Sequence, residues 1–126
     1  MDASLKGIRN LFGRKFQRHE INGVTYKIDS ETSTAEVTRS PNAAGDVVIL
    51  SEIQGKTITK IGNAAFHGCK NLISVTIPNT VTSIGFSAFS GCKELTSVTI
   101  PKRNTRIVSG AFSDCPSLKS ISKFND

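Results

Sequence analysis

The chain has 126 residues, of which 37% are hydrophobic and 21% charged. These proportions fit one folded domain and argue against wholesale disorder, and no apolar run approaches the ~18 residues of a spanning helix, which excludes membrane insertion. Sixteen basic against ten acidic residues give a net charge of +6, and three cysteines are too few, and odd in number, for a disulfide scaffold.

Residues 1–15 carry Lys6, Arg9, Arg14 and Lys15 around Leu5, Ile8, Leu11 and Phe12, which share one face at helical spacing. The segment lacks the apolar stretch of a secretory signal, so no signal peptide is expected in this chain. It reads as a capping helix or a disordered basic leader rather than a membrane-surface helix. Next, Val24, Tyr26 and Ile28 alternate with Thr25 and Lys27, as a half-buried strand does. Asn22-Gly23 is a hairpin signal, with residues 16–21 as the partner strand. Ala35 and Val37 suggest another short strand, and residues 39–46, with Pro41, Asn42 and Gly45, a loop. Val47 and Ile49 look like the strand of a degenerate first coil, separated from Ile61 by an insertion around residues 54–56. Residues 16–58 therefore read as a β-rich N-terminal cap.

Residues 59–126 are three copies of one pattern with a period of 23 residues. Ile61, Ile84 and Ile107 coincide, as do Ala65, Ala88 and Ala111, then Phe66, Phe89 and Phe112. Cys69, Cys92 and Cys115 share a column, followed by Leu72, Leu95 and Leu118, and by Val75, Val98 and Ile121. Val75 and Ile77 alternate with Ser74 and Thr76, so each copy holds one strand, ended by Pro78 in the first copy and Pro101 in the second. Residues 63–68 (Asn-Ala-Ala-Phe-His-Gly) are long enough for one helical or 3-10 turn. One coil cannot bury its own apolar columns, so the copies are expected to stack like on like, with the strands forming a parallel sheet at ~4.8 Å spacing. The fold expected is an α/β repeat solenoid: a short, right-handed stack with one parallel strand and one helical or 3-10 turn per coil.

The string Leu-x-x-Val-x-Ile-Pro-x-x-Val-x-x-Ile-Gly-x-x-Ala-Phe-x-x-Cys, from Leu72 to Cys92, resembles the BspA-like class of leucine-rich repeat found in bacterial surface proteins. The resemblance implies a non-enzymatic module for protein binding or cell adhesion. It further implies an extracellular or cell-surface location and a protein partner, on a host or on a neighbouring cell.

The residues themselves offer little chemistry. Cysteines 23 apart lack the close pairs of a zinc site, and buried packing accounts for them better than metal or catalysis. His67 lies two residues before Cys69, but Ser90 and Ser113 hold its column, which marks a surface position. The acidic residues Asp29, Glu31, Glu36, Asp46 and Glu52 fall mostly in turns of the cap, and the repeats add only Glu94, Asp114 and Asp126. Gly62, Gly68, Gly85 and Gly91 recur because the coil turns there and not to cradle a phosphate. No catalytic residue, metal, cofactor or small-molecule substrate is expected.

Two surfaces remain as candidates. Stacking would lay Ser74, Thr76, Ser97, Thr99, Ser120 and Ser122 side by side as a hydroxyl-lined strip, flanked by Thr96 and Lys119, and solenoids bind partners across such faces. Lys102, Arg103 and Arg106 crowd one turn and could meet a polyanion. Nucleic acid is disfavoured, because few aromatic residues remain outside the stacked phenylalanines to stack on bases. A third expectation is structural: an assembly element that self-associates by stacking through an open C-terminal edge.

Overall fold

A computed structural model describes residues 16–101 and 105–124, which hold eleven strands and no helix. The basic leader at 1–15 and the turn residues Lys102 and Arg103 lie outside the described residues. β1 (Phe16–Ile21) and β2 (Val24–Asp29) form an antiparallel hairpin. Asn22 and Gly23 make its turn at φ of 50° and 83°, the left-handed pair that a two-residue hairpin needs. Val24, Tyr26 and Ile28 point inward from β2, which pairs in turn with β3 (Thr34–Thr38).

From β3 the chain winds about four times. Each winding adds a strand to each of two sheets. The first winding gives β3 and β4 (Gly45–Val48). Next come β5 (Glu52–Ile53), which folds back on the following strand, β6 (Lys56–Ile61) and β7 (Leu72–Thr76). Then follow β8 (Ser83–Ile84) with β9 (Ser97–Pro101), and β10 (Arg106–Ile107) with β11 (Ser120–Phe124). One sheet runs in the order β1-β2-β3-β6-β8-β10, and the other, all parallel, in the order β4-β7-β9-β11. Between them Ile58, Ile61, Leu72, Val75, Ile77, Ile84, Leu95, Val98 and Ile100 are at most 1% exposed.

Two expectations need correction. Each repeat holds two strands rather than one, and its turn is neither helical nor 3-10. At 63–68 the N–H groups of Ala65, His67 and Cys69 reach back three residues, to Gly62, Ala64 and Phe66, at 3.1–3.2 Å. Those of Ala64, Phe66 and Gly68 donate instead to the carbonyls of Phe86, Ala88 and Ser90 in the next winding, at 2.7–2.9 Å. In a helix consecutive N–H groups past the first turn bond within the helix; here every second one is turned along the stack. Ala64, at φ 58°, and Ser87, its counterpart 23 residues on at φ 56°, leave the right-handed region and so break the helical course. That conformation costs roughly 1–2 kcal/mol per residue, which the hydrogen bonds between windings offset. Gly62 and Gly85 serve close approach rather than the turn itself: a Cβ on Gly62 would lie 2.9 Å from the Val37 carbonyl oxygen, and one on Gly85 would lie 2.8 Å from the Asn63 nitrogen.

Phe66, Phe89 and Phe112 stack along the axis with ring centroids 5.1 Å apart in both pairs and planes 12° and 3° from parallel. Beside them the Cys69, Cys92 and Cys115 thiols each donate to a carbonyl one winding back, those of Ser40, Phe66 and Phe89, at 3.2, 3.0 and 3.0 Å. Ser40 therefore occupies the phenylalanine column in the first winding. It is the one buried polar residue among those described, and both sides of its hydroxyl are used. The group donates to the Thr38 carbonyl at 2.7 Å and accepts the Thr25 N–H of β2 at 2.8 Å, tying the hairpin to the stack where the rings end.

Phe89 is fully buried between two rings, whereas Phe112 is only partly buried. Phe89→Ala should lower the free energy of unfolding by about 3–5 kcal/mol and Phe112→Ala by less than half of that, read from urea unfolding curves. Equal losses would show that the spine does not act as a stack with a buried middle.

Candidate functional site: the hydroxyl-lined sheet face

The outward face of β4-β7-β9-β11 is set by strand alternation and parallel register. Val75 and Val98 are buried, so the residues on either side of each turn to solvent. The register aligns Ser74 with Ser97 and Ser97 with Ser120. It likewise aligns Thr76 with Thr99 and Thr99 with Ser122, so the six candidate positions fall in two rows. Thr76 and Ser120 are exposed, while Ser74, Ser97 and Thr99 are half-buried. Beside the rows, Thr96 donates its hydroxyl to the Ile73 carbonyl at 3.1 Å, and the Lys119 N–H bonds the Thr96 carbonyl at 2.9 Å.

The rows extend into the first winding, beyond the six positions expected from the sequence. Asp46 pairs with Ser74 and Val48 with Thr76. The Ser74 hydroxyl donates to an Asp46 carboxylate oxygen at 2.7 Å, so the serine row ends on a negative charge. The other row ends on Val48, which is 71% exposed. The signal was present. Placing Val47 and Ile49 in the columns of Val75 and Ile77 puts Asp46 and Val48 in the outward columns, but neither carries a β-strand hydroxyl.

The remaining candidates do not converge. Arg106 is exposed on β10, in the other sheet, opposite Ser83. It is the one described member of the basic trio. His67 is exposed on its turn, and His19 meets the Gln54 side chain at 3.3 Å. Asp114 pairs with Lys93 at 2.7 Å, and Glu36 lies between Lys27 and Lys60 at 3.8 and 3.9 Å. Among the described residues no group of three or more His, Cys, Asp or Glu side chains is placed to hold a metal ion. No described helix is long and apolar enough to cross a membrane.

The model of a BspA type leucine rich repeat region (6 copies) matches residues 49–125, more than half of the chain. The chain belongs to this family. The match begins in the first winding, ten residues before the copies that the 23-residue period picks out.

Solved structures of leucine-rich repeat proteins share the fold. A leucine rich cell surface protein from Faecalibacterium prausnitzii A2-165 superposes with a TM-score of 0.67 at 27% identity, covering 86% of this chain and 32% of that one. The leucine rich repeat protein of T. pallidum gives 0.61 at 27% identity, over 84% of this chain and 46% of that one. A leucine-rich repeat protein from Bacteroides ovatus gives 0.62 at 31% identity, over 82% and 28%. The chain thus spans less than half the length of each of these proteins. No curated protein matches it.

The cysteine column of the BspA-type repeat is chemically quiet. Burial pushes the Cys92 thiol up to about 12, against an ordinary 9.0, with the backbone hydrogen bond pulling slightly the other way. Burial likewise raises Cys69 and Cys115. A thiolate is the reactive form, so these groups are poor nucleophiles at neutral pH. The folded state also keeps the Cys92 proton where the unfolded thiol has lost it. This contribution to stability is therefore complete below pH 9 and is lost as pH rises towards 12. At pH 8 a thiol reagent should label the partly buried Cys115 first and Cys92 only on unfolding. Urea midpoints measured from pH 8 to 11 should fall less steeply in Cys92→Ala than in the parent. Fast labelling of Cys92 in the folded protein would contradict the buried ladder.

Proposed function

We propose that the chain is a non-enzymatic protein-binding module that presents the β4-β7-β9-β11 face to a partner at the cell surface. The observation that carries this reading is the register: Asp46, Ser74, Ser97 and Ser120 form one row across four strands, and Val48, Thr76, Thr99 and Ser122 form the next. Main-chain pairing fixes these positions before any partner arrives, so little ordering cost attends binding. Family membership supports the same reading, because leucine-rich repeats are commonly protein-interaction modules. The cell surface is suggested by the F. prausnitzii protein, which is described as a cell surface protein. The partner would be a protein of a host or of a neighbouring cell, and adhesion the resulting activity.

A second reading has its own observation. At the C-terminal end of the described stack Ile107, Val108 and Ile121 are 39%, 37% and 44% exposed, and Phe112, Cys115 and Leu118 are only partly buried. An apolar end of this kind suits stacking on another winding, either of a second copy or of a neighbouring domain.

Two measurements separate the readings. The chain carrying Ser74→Lys, Thr76→Lys, Ser97→Lys and Thr99→Lys should keep its thermal transition within a few degrees and lose at least about tenfold in affinity for proteins captured from a cell-surface preparation. Unchanged capture by the folded variant would discard the strip as the site. Sedimentation over a hundredfold range of concentration should show a monomer if the sheet face is the main functional surface. Concentration-dependent association abolished by Ile121→Lys would support the stacking reading instead.

A further inference from the structure

The two sheets do not end together. The first continues past β3 through β2 to β1, while the second stops at β4. The step leaves a notch of about 300 Å³ between β4 and the hairpin. Its walls include Ile21, Val24, Tyr26, Val48 and Leu50. Ile21, Val48 and Leu50 are 38%, 71% and 36% exposed, which concentrates large apolar side chains at one place on the surface.

β4 presents a bare strand edge to this notch. In a parallel ladder alternate residues bond one neighbour, and the residues between them face the other way. Gly45 and Ile49 donate to the carbonyls of Asn71 and Thr76 in the second winding at 2.8 and 3.0 Å. Asp46, Val48 and Leu50 therefore aim their N–H groups into the notch. Leu50 shows the direction: its N–H donates to the Tyr26 hydroxyl, across the notch, at 3.1 Å. Among the described residues no strand pairs with β4 on that side.

We propose that the notch captures an extended segment of a partner protein, which pairs with β4 as one added strand and alternates apolar with basic side chains. Width selects a single strand. The first sheet overhangs the second by two strands, roughly 10 Å at ordinary spacing. A second copy stacking head to tail would have to bring both strands of a winding, and one of them would meet β1 and β2. Charge selects the basic residues. Asp46 is the only charged residue lining the notch among those described; nearby along the chain are Glu52, two residues after Leu50, and Glu20, one before Ile21, whose carboxylate accepts from the Asn42 amide. Lys27, next to Tyr26, points the other way, its Nζ 4.6 Å from the centre of the Phe16 ring. Outward N–H and C=O groups would supply the pairing, and the exposed Ile21, Val48 and Leu50 an apolar surface for alternate side chains. The surface shares β4 with the hydroxyl rows but does not depend on their being a binding site.

The test uses the full chain and two seven-residue peptides, one alternating valine with lysine and one alternating valine with glutamate, followed by amide NMR. The lysine peptide should move the Asp46 and Val48 amide signals and bind at least about tenfold more tightly than the glutamate peptide at low salt. Val48→Pro removes an outward N–H without touching the ladder to β7, and should weaken binding about tenfold. Methylating alternate amides of the lysine peptide should do the same with the protein unchanged, which covers a variant that fails to fold. The proposal is overturned by absence of shifts at millimolar peptide, by equal binding of the methylated and parent peptides, or by equal binding of the two charge types. Two further results would also overturn it by naming another occupant. One is a dependence of the Asp46 and Val48 signals on protein concentration alone, which indicates a second copy. The other is their displacement when residues 1–15 are deleted, which indicates the chain's own leader.

Discussion

Much of the hydrogen bonding in the first two turns of the stack is made between windings, and the rest of the structure depends on that. The N–H groups of Ala64, Phe66 and Gly68 find their acceptors only in the next winding. Phe89 donates to Ala111, and Gly91 to Ser113, by the same rule. Buried backbone groups left unpaired are costly, so a lone winding is not a stable object. Once the turns are in register, identical side chains must lie over one another. The face-to-face phenylalanines and the thiol-to-carbonyl ladder are consequences of that register as much as contributors to it. Cysteine suits its column because a thiol is small, tolerates burial and can still donate weakly to the carbonyl one winding back.

The two ends of the described stack differ. At the N-terminal side Ser40 replaces the ring with a hydroxyl that bonds Thr38 and the incoming Thr25 N–H. The hairpin then buries Val24, Tyr26 and Ile28 against the first winding. Among the described residues only one of the two sheets receives this extension, and the edge of β4 is left bare. At the other side Ile107 and Ile121 show what an uncovered winding looks like: the same apolar columns, now more than a third exposed.

The repeat was legible because its columns are chemically distinctive. Phenylalanine, cysteine and leucine recurring at one spacing leave little freedom in how the copies align, and the outward serine and threonine columns come with that alignment. What the sequence hid has local physical reasons. Ala64 gives no hint of a left-handed conformation, since alanine is the strongest helix former, so residues 63–68 read as a helical turn. β8 and β10 are two residues long, below the length at which alternation can be seen. The first winding was obscured because serine stands in the phenylalanine column. Val37 is moreover three residues from Ser40, where Ile61 is five from Phe66. Gln54 and Gly55, which looked like an insertion, are the turn of the β5–β6 hairpin at φ of 49° and 78°.

The same constraint bears on what the molecule can do. Catalysis needs a few unlike groups brought to one point, and a register that sets each residue beside its own counterpart works against that. Like beside like gives rows, and rows of hydroxyls on a parallel sheet offer many weak, evenly spaced contacts rather than one strong one. Such a surface gains affinity from being held still, because the partner does not have to order it. On the proposed reading, specificity comes from where the rows are interrupted. The interruptions fall in the first winding, where a serine row ends on Asp46 and a threonine row on Val48. A partner that reads the hydroxyl rows would find its register there, beside the edge of β4.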